Sequence, residues 1–168
     1  MTVFIRLVTV AAAASLGAGA VATDSYTTDF ESGADNWIAY AGSALEPTGG
    51  NPDGHIHTVF SDFGITYRNN TNPNFVMDYS AFDSVTFSID VKVESIGSFG
   101  LFNPRPWVIE LRDYDNPPAG YNYVSVWHEF MWLPGTGLPW TTFDVTIDDP
   151  SAVDLPAGWG GDGASDLA

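Results

Sequence analysis

Residues 82–94 carry the clearest pattern in the chain. Val85, Phe87, Ile89, Val91 and Val93 alternate with Ser84, Thr86, Ser88, Asp90, Lys92 and Glu94. A period of two sends successive side chains to opposite faces of an extended strand, so one face is buried and the other wet. On a helix the same apolar residues would be scattered around the circumference. Trp107, Ile109 and Leu111 alternate with Val108, Glu110 and Arg112 in a second strand. Residues 121–132 predict a long third strand. It has Val124, Val126, Phe130 and Trp132 on one face and Tyr121, Tyr123, Trp127 and Met131 on the other. Phe143, Val145 and Ile147, set between Thr142, Asp144, Thr146 and Asp148, predict a fourth. Shorter strands are expected over 26–30, 36–40, 55–60 and 64–68.

Dense turn signals separate these runs: 49–54, 69–74, 116–120 and 134–137 are rich in Gly, Pro, Asn and Asp. Glycine allows positive φ, and proline interrupts helix and ladder alike. No stretch sustains a period of 3.6 residues. Many short strands at turn spacing predict one all-β domain, an antiparallel sandwich or barrel. From Pro156 onward the composition is that of a loop, with Gly158, Gly160, Gly161 and Gly163. No strand is expected there, and the sandwich is expected to lack its final strands.

The first residues read differently. Arg6 supplies a positive start, 7–20 is an Ala-rich apolar run, and Ala20-Val21-Ala22 is a small-x-small cleavage pattern before the first acid, Asp24. That combination predicts a secretory signal peptide over 1–22, with the domain over 23–168. The expected location is extracellular or at the cell surface, and no membrane span is expected in the mature chain.

Charge narrows the partners. Lys+Arg number 5 against 21 Asp+Glu, a formal net charge of -16, which argues against nucleic acid and anionic membranes. The absence of Cys removes disulfides, Cys-zinc sites, iron–sulfur sites and thiol catalysis.

Several short motifs carry a resemblance. Asp29-Phe30-Glu31-Ser32-Gly33 followed by Trp37 looks like the opening strand of secreted galactose-binding-like jelly rolls. Gly49-Gly50-Asn51-Pro52-Asp53-Gly54-His55-Ile56 resembles the G-N-P-G-G-Y core of laminin B (laminin IV type A) domains, with Asp53 in place of the second glycine. Trp140-Thr141-Thr142-Phe143, Asp149-Pro150 and Pro156-Ala157-Gly158-Trp159 are similar to the later part of bacterial laminin-B-like domains, which often occur in proteins with a PEP-CTERM sorting tail. The resemblance spans most of 29–159. It implies an antiparallel jelly-roll β-sandwich with a binding or matrix role and no known catalysis. It also implies a structural calcium ion near the first strand, at Asp29 or Glu31.

The residues themselves suggest four chemistries. Acidic loops, with Asp29, Glu31, Asp113, Asp115, Asp148 and Asp149, supply the oxygens that calcium prefers. His55 and His57 share a strand face, and His128 would complete a three-His metal site of cupin type, although the Glu and second motif of cupins are missing. Glu110 and Glu129 on neighbouring strands are a permissive pair for glycoside hydrolysis. Tyr121, Tyr123 and Trp127, with Arg112 nearby, can stack on the apolar faces of sugar rings and bond their hydroxyls. The expectation is a secreted, non-enzymatic module binding carbohydrate or extracellular matrix. The alternatives are a structural envelope component and a glycosidase or cupin-type metalloenzyme.

Overall fold

The computed structural model describes residues 2–15, 21–39, 42–59, 64–98, 101–115 and 117–162. The expected strand ends at Tyr40 and Phe60, the 16–20 part of the leader, and the tail from Gly163 lie outside the described residues. Within them the fold is all-β. In chain order the strands are β1 (Thr2–Ser15), β2 (Val21–Thr28), β3 (Ile38–Ala39), β4 (Ser43–Glu46), β5 (His55–Val59), β6 (Tyr67–Arg68) and β7 (Ser84–Ser95). They continue as β8 (Gly97–Ser98), β9 (Leu101–Phe102), β10 (Arg105–Asp113), β11 (Val124–Leu133), β12 (Thr136–Ile147) and β13 (Trp159–Asp162). Every pairing is antiparallel. The larger sheet runs β12-β7-β1-β5-β4 with β2 also on β1, and the second runs β10-β11-β13.

β7 is the backbone of the core. Its alternating Val85, Phe87, Ile89, Val91 and Val93 are all buried. Ile89, Val91 and Val93 join Ile56 of β5 and Leu133 of β11, with Trp107, Ile109, Phe130 and Phe143 packed against them. Val85 and Phe87 join Val145 and Ile147 of β12, capped by Leu111 and Trp159. The Phe130 and Phe143 rings, 5.8 Å apart, connect the two sheets. Apolar faces of both sheets thus close on one another as a sandwich. Each fully buried aliphatic side chain contributes about 1.5–3 kcal/mol of transfer energy.

Several strand assignments differ from the sequence reading. In this uncut chain residues 2–15 form β1, flanked by β7 on one side and by β5 and β2 on the other. The β-branched residues and Phe4 of its first half favour extended pairing, and the flanking strands present edges to pair with. The Gly-rich 159–162 stretch, expected as loop, is β13, paired to β11. β12 begins at Thr136, inside the expected 134–137 turn, and runs through Pro139. Pro139 is tolerated because β12 is an edge strand. Finally, a register irregularity between Trp107 and Val108 interrupts β11 pairing, and Trp132 ends opposite Pro106, 57% exposed rather than in the core.

Candidate functional site

Directly opposite residues of an antiparallel pair share a face. Ile109 and Leu111 of β10 and Phe130 of β11 pack on the core, so the alternate positions face outward. Glu110 is registered against Trp127, and Arg112 against Ser125. On this outer face Arg112 Nη2 donates to Glu110 Oε2 at 2.6 Å. The Arg112 guanidinium carbon lies 4.4 Å from the centre of the Tyr123 ring, within cation–π range. The Tyr114 ring follows at 5.4 Å from Tyr123. The hydrogen bond to Glu110, foremost, holds the Arg112 guanidinium above its ordinary pKa.

Trp127 stands beside this group, 40% exposed. Across the other side of β11 it is registered against Gly160 of β13. A Cβ built on Gly160 would sit 2.5 Å from the indole. The missing side chain is therefore what lets the ring lie over the neighbouring backbone. Three of the expected binding residues, Arg112, Tyr123 and Trp127, are brought onto one face. Tyr121 is not on the strand: its N–H closes a turn onto Pro118 O at 3.0 Å, and it is exposed. Tyr114 and Gly160 were missed. Tyr114 follows the β10 alternation by one more step, a signal that was available; Gly160 has no sequence signal. Glu129 is registered against Val108, on the same face as Glu110, but Glu110 is already paired with Arg112.

The expected calcium residues lie elsewhere, in the loop after β2. Asp29 Oδ1 accepts the Glu31 N–H at 3.0 Å, and Glu31 Oε1 accepts the Gly54 N–H at 2.8 Å. A Cβ on Gly54 would sit 2.7 Å from the Phe30 carbonyl carbon, so the 49–54 loop needs glycine there to approach this closely. Asp35 is the polar centre of the region. Its Oδ2 accepts from Tyr26 Oη at 2.8 Å and Thr28 Oγ1 at 2.5 Å, and its Oδ1 accepts from the buried Asn72 at 2.8 Å. A hollow of about 290 Å³ is lined by residues including Tyr26, Asp29, Ser32 and Asp35. Other acids serve turns: Asp113 accepts the Asp115 N–H and Asp149 the Ser151 N–H. Such local bonding is characteristic of aspartate in loops. Among the described residues, no three His, Asp or Glu side chains are grouped so as to hold a metal ion.

The histidines separate. His55 and His57 share a face of β5 with ring centres 6.3 Å apart, and His57 Nδ1 lies 3.7 Å from Glu46. His55 is buried against Trp140, and burial, foremost, pushes its pKa below 6.5. His128 belongs to β11 in the other sheet, beside Trp159 and Gly158 O. The three-His grouping is therefore not assembled. Among the described residues no helix is long and apolar enough to cross a membrane. Compared with family models, with curated proteins and with solved structures, the chain finds no match.

Proposed function

We propose that this protein is a non-enzymatic binding module, exported through its 1–22 leader, that holds an uncharged carbohydrate on the outer face of β10 and β11. The observation that carries this reading is the exposed Trp127 beside the Glu110–Arg112–Tyr123 group. An indole supplies apolar area to a sugar ring with few torsions to freeze, while the ion pair offers both acceptors and donors to hydroxyls. The net charge of -16 disfavours acidic glycans. The jelly-roll, laminin-B-like kinship is part of the same proposal and rests on the sequence motifs. Calcium at Asp29 or Glu31 is a separable part, supported by the oxygen-rich loop between β2 and β3. Glycan-array binding of the wild type and of Trp127→Ala tests the core of the reading. Retention that disappears in a folded Trp127→Ala protein is the expected result. Wild-type protein that binds no glycan would leave a structural envelope role. A thermal midpoint unchanged by EDTA would remove the calcium.

A further inference from the structure

β1 is the strand of the larger sheet that the export reading takes away whole, with Val21 and Ala22 of β2. It spans the sheet from β7 on one side to β5 and β2 on the other. Its register along β7 is informative. Val3, Ile5, Val8, Val10 and Ala12 are registered against Val93, Val91, Ile89, Phe87 and Val85, the buried row of β7. Phe4, Arg6, Thr9, Ala11 and Ala13 are registered against Lys92, Asp90, Ser88, Thr86 and Ser84 on the polar row, with an irregular step between Arg6 and Val8. Along β7 the lane therefore holds an apolar residue against each buried position from Val85 to Val93 and a base against Asp90. That aspartate is 4% exposed and already holds Thr142 at 2.6 Å. A basic residue registered there complements a charge that would otherwise lie at an open edge.

Resting on the export reading, we infer that leader removal turns the domain into a strand acceptor. Its lane, between β7 and the β5/β2 side, takes an extended antiparallel segment from a partner polypeptide. The segment presents apolar residues to the buried row of β7 and one Lys or Arg at the Asp90 register. Main-chain hydrogen bonds to both walls supply affinity, and the alternate pockets supply selection. An unfilled lane would expose two strand edges and the apolar row between them, the arrangement that sheets ordinarily avoid.

The test begins from the full chain, with a specific protease site placed between residues 15 and 21. Mass analysis of the exported natural protein is run beside it. After the cut, the 1–15 fragment is expected to stay bound and to exchange with a labelled peptide of residues 2–15. Removing it is expected to speed amide exchange over 85–93 by about tenfold or more, and adding the peptide back restores protection. A peptide carrying Val10→Asp, against Phe87, is expected not to bind, and one carrying Arg6→Glu to bind about tenfold more weakly. Amides of β7 equally protected without the fragment would overturn the inference, because the walls would have closed on each other. Dimers forming when the fragment is removed would overturn it too, assigning the lane to a second copy. Exported protein that retains residues 1–22 would overturn the export reading itself and, with it, any vacated lane. That result is read from mass alone, apart from peptide exchange.

Discussion

On the outer face of the larger sheet, short polar side chains bond one another across β7 and β12. Thr86 and Thr146 hydroxyls lie 2.8 Å apart, Ser88 donates to Asp144, and Thr142 donates to Asp90 at 2.6 Å. Each pair is also directly opposite in register. On the outer face of β10 and β11, by contrast, Trp127, Trp132 and Tyr114 are 40, 57 and 52% exposed, and Arg112 and Glu110 are tied to one another beside them. The two faces have the same backbone geometry and a shared core. What differs is how much bonding capacity and apolar area is left over. The first face has spent its hydroxyls internally and offers little ring-sized apolar surface. The second keeps large rings in water, which a sandwich gains nothing by doing unless something covers them.

The largest effect comes from breaking what both faces depend on. Ile147 is 1% exposed and packs with Val85, Phe87 and Val145 under Leu111 and Trp159. Ile147→Ala is expected to cost about 2–5 kcal/mol in denaturant unfolding, with both faces lost together. Two separate transitions would show that the sheets do not share a cooperative core.

A paired substitution then separates the faces. Trp127→Ala is expected to weaken glycan retention about tenfold or more, equivalent to about 1.4 kcal/mol, with unfolding little changed. Thr146→Ala is expected to do the reverse: retention unchanged, and about 0.2–1 kcal/mol lost from the cross-strand pair with Thr86. Affinity measured by calorimetry beside urea unfolding checks both. If Thr146→Ala were the one to impair retention, binding would belong to the larger sheet.

How far this contrast could be read beforehand follows from side-chain periodicity. β7 was legible residue by residue, since every second side chain is buried and the others are polar. The grouping of Arg112 and Trp127 was legible for the same reason, since alternation on two strands places both on outward faces, while Tyr123 lies one residue before β11. β13 was not, because Gly160 and Gly161 have no side chains from which a period could be read, and pairing by backbone alone leaves no pattern. Trp132 was misplaced because an irregular step in pairing shifts every later residue to the opposite face. The Asp35 centre joins residues as distant as Tyr26 and Asn72, and no local spacing announces such a network.

Residues in or packed against the larger sheet also set pH limits: His55 of β5, Tyr67 bonded to Thr58 and Tyr79 against Phe87. Burial pushes the Tyr67 and Tyr79 hydroxyls up to about 12. Each folded pKa lies above the ordinary tyrosine value of 10.0, so the associated stability is intact below pH 10 and is lost as pH rises through 12. His55 works from the acid side. Its folded pKa lies below 6.5, so the unfolded chain binds the proton more readily, and stability falls as pH drops below 6.5. Urea midpoints measured across this range are expected to decline at both ends. His55→Gln is expected to flatten part of the acid limb and Tyr67→Phe part of the alkaline one. An acid limb unchanged in His55→Gln would assign it to carboxylates instead.

The smallest effect expected is also the most local. A methyl group on Gly160 would lie 2.5 and 2.6 Å from two indole carbons of Trp127, so the ring must move aside. Gly160 is in a strand, and losing glycine's freedom in the unfolded chain gives back about 0.4–1 kcal/mol, which offsets much of the repulsion. Gly160→Ala should therefore leave unfolding nearly unchanged while weakening glycan retention about threefold, roughly 0.6 kcal/mol. The informative measurement is a double-mutant cycle. If Gly160 acts only by seating the indole, its substitution changes nothing in a Trp127→Ala background, and the coupling energy equals its whole effect on binding. An effect of the same size in both backgrounds would mean that β13 contacts the ligand directly, and the binding face would then extend across β13 beyond Trp127.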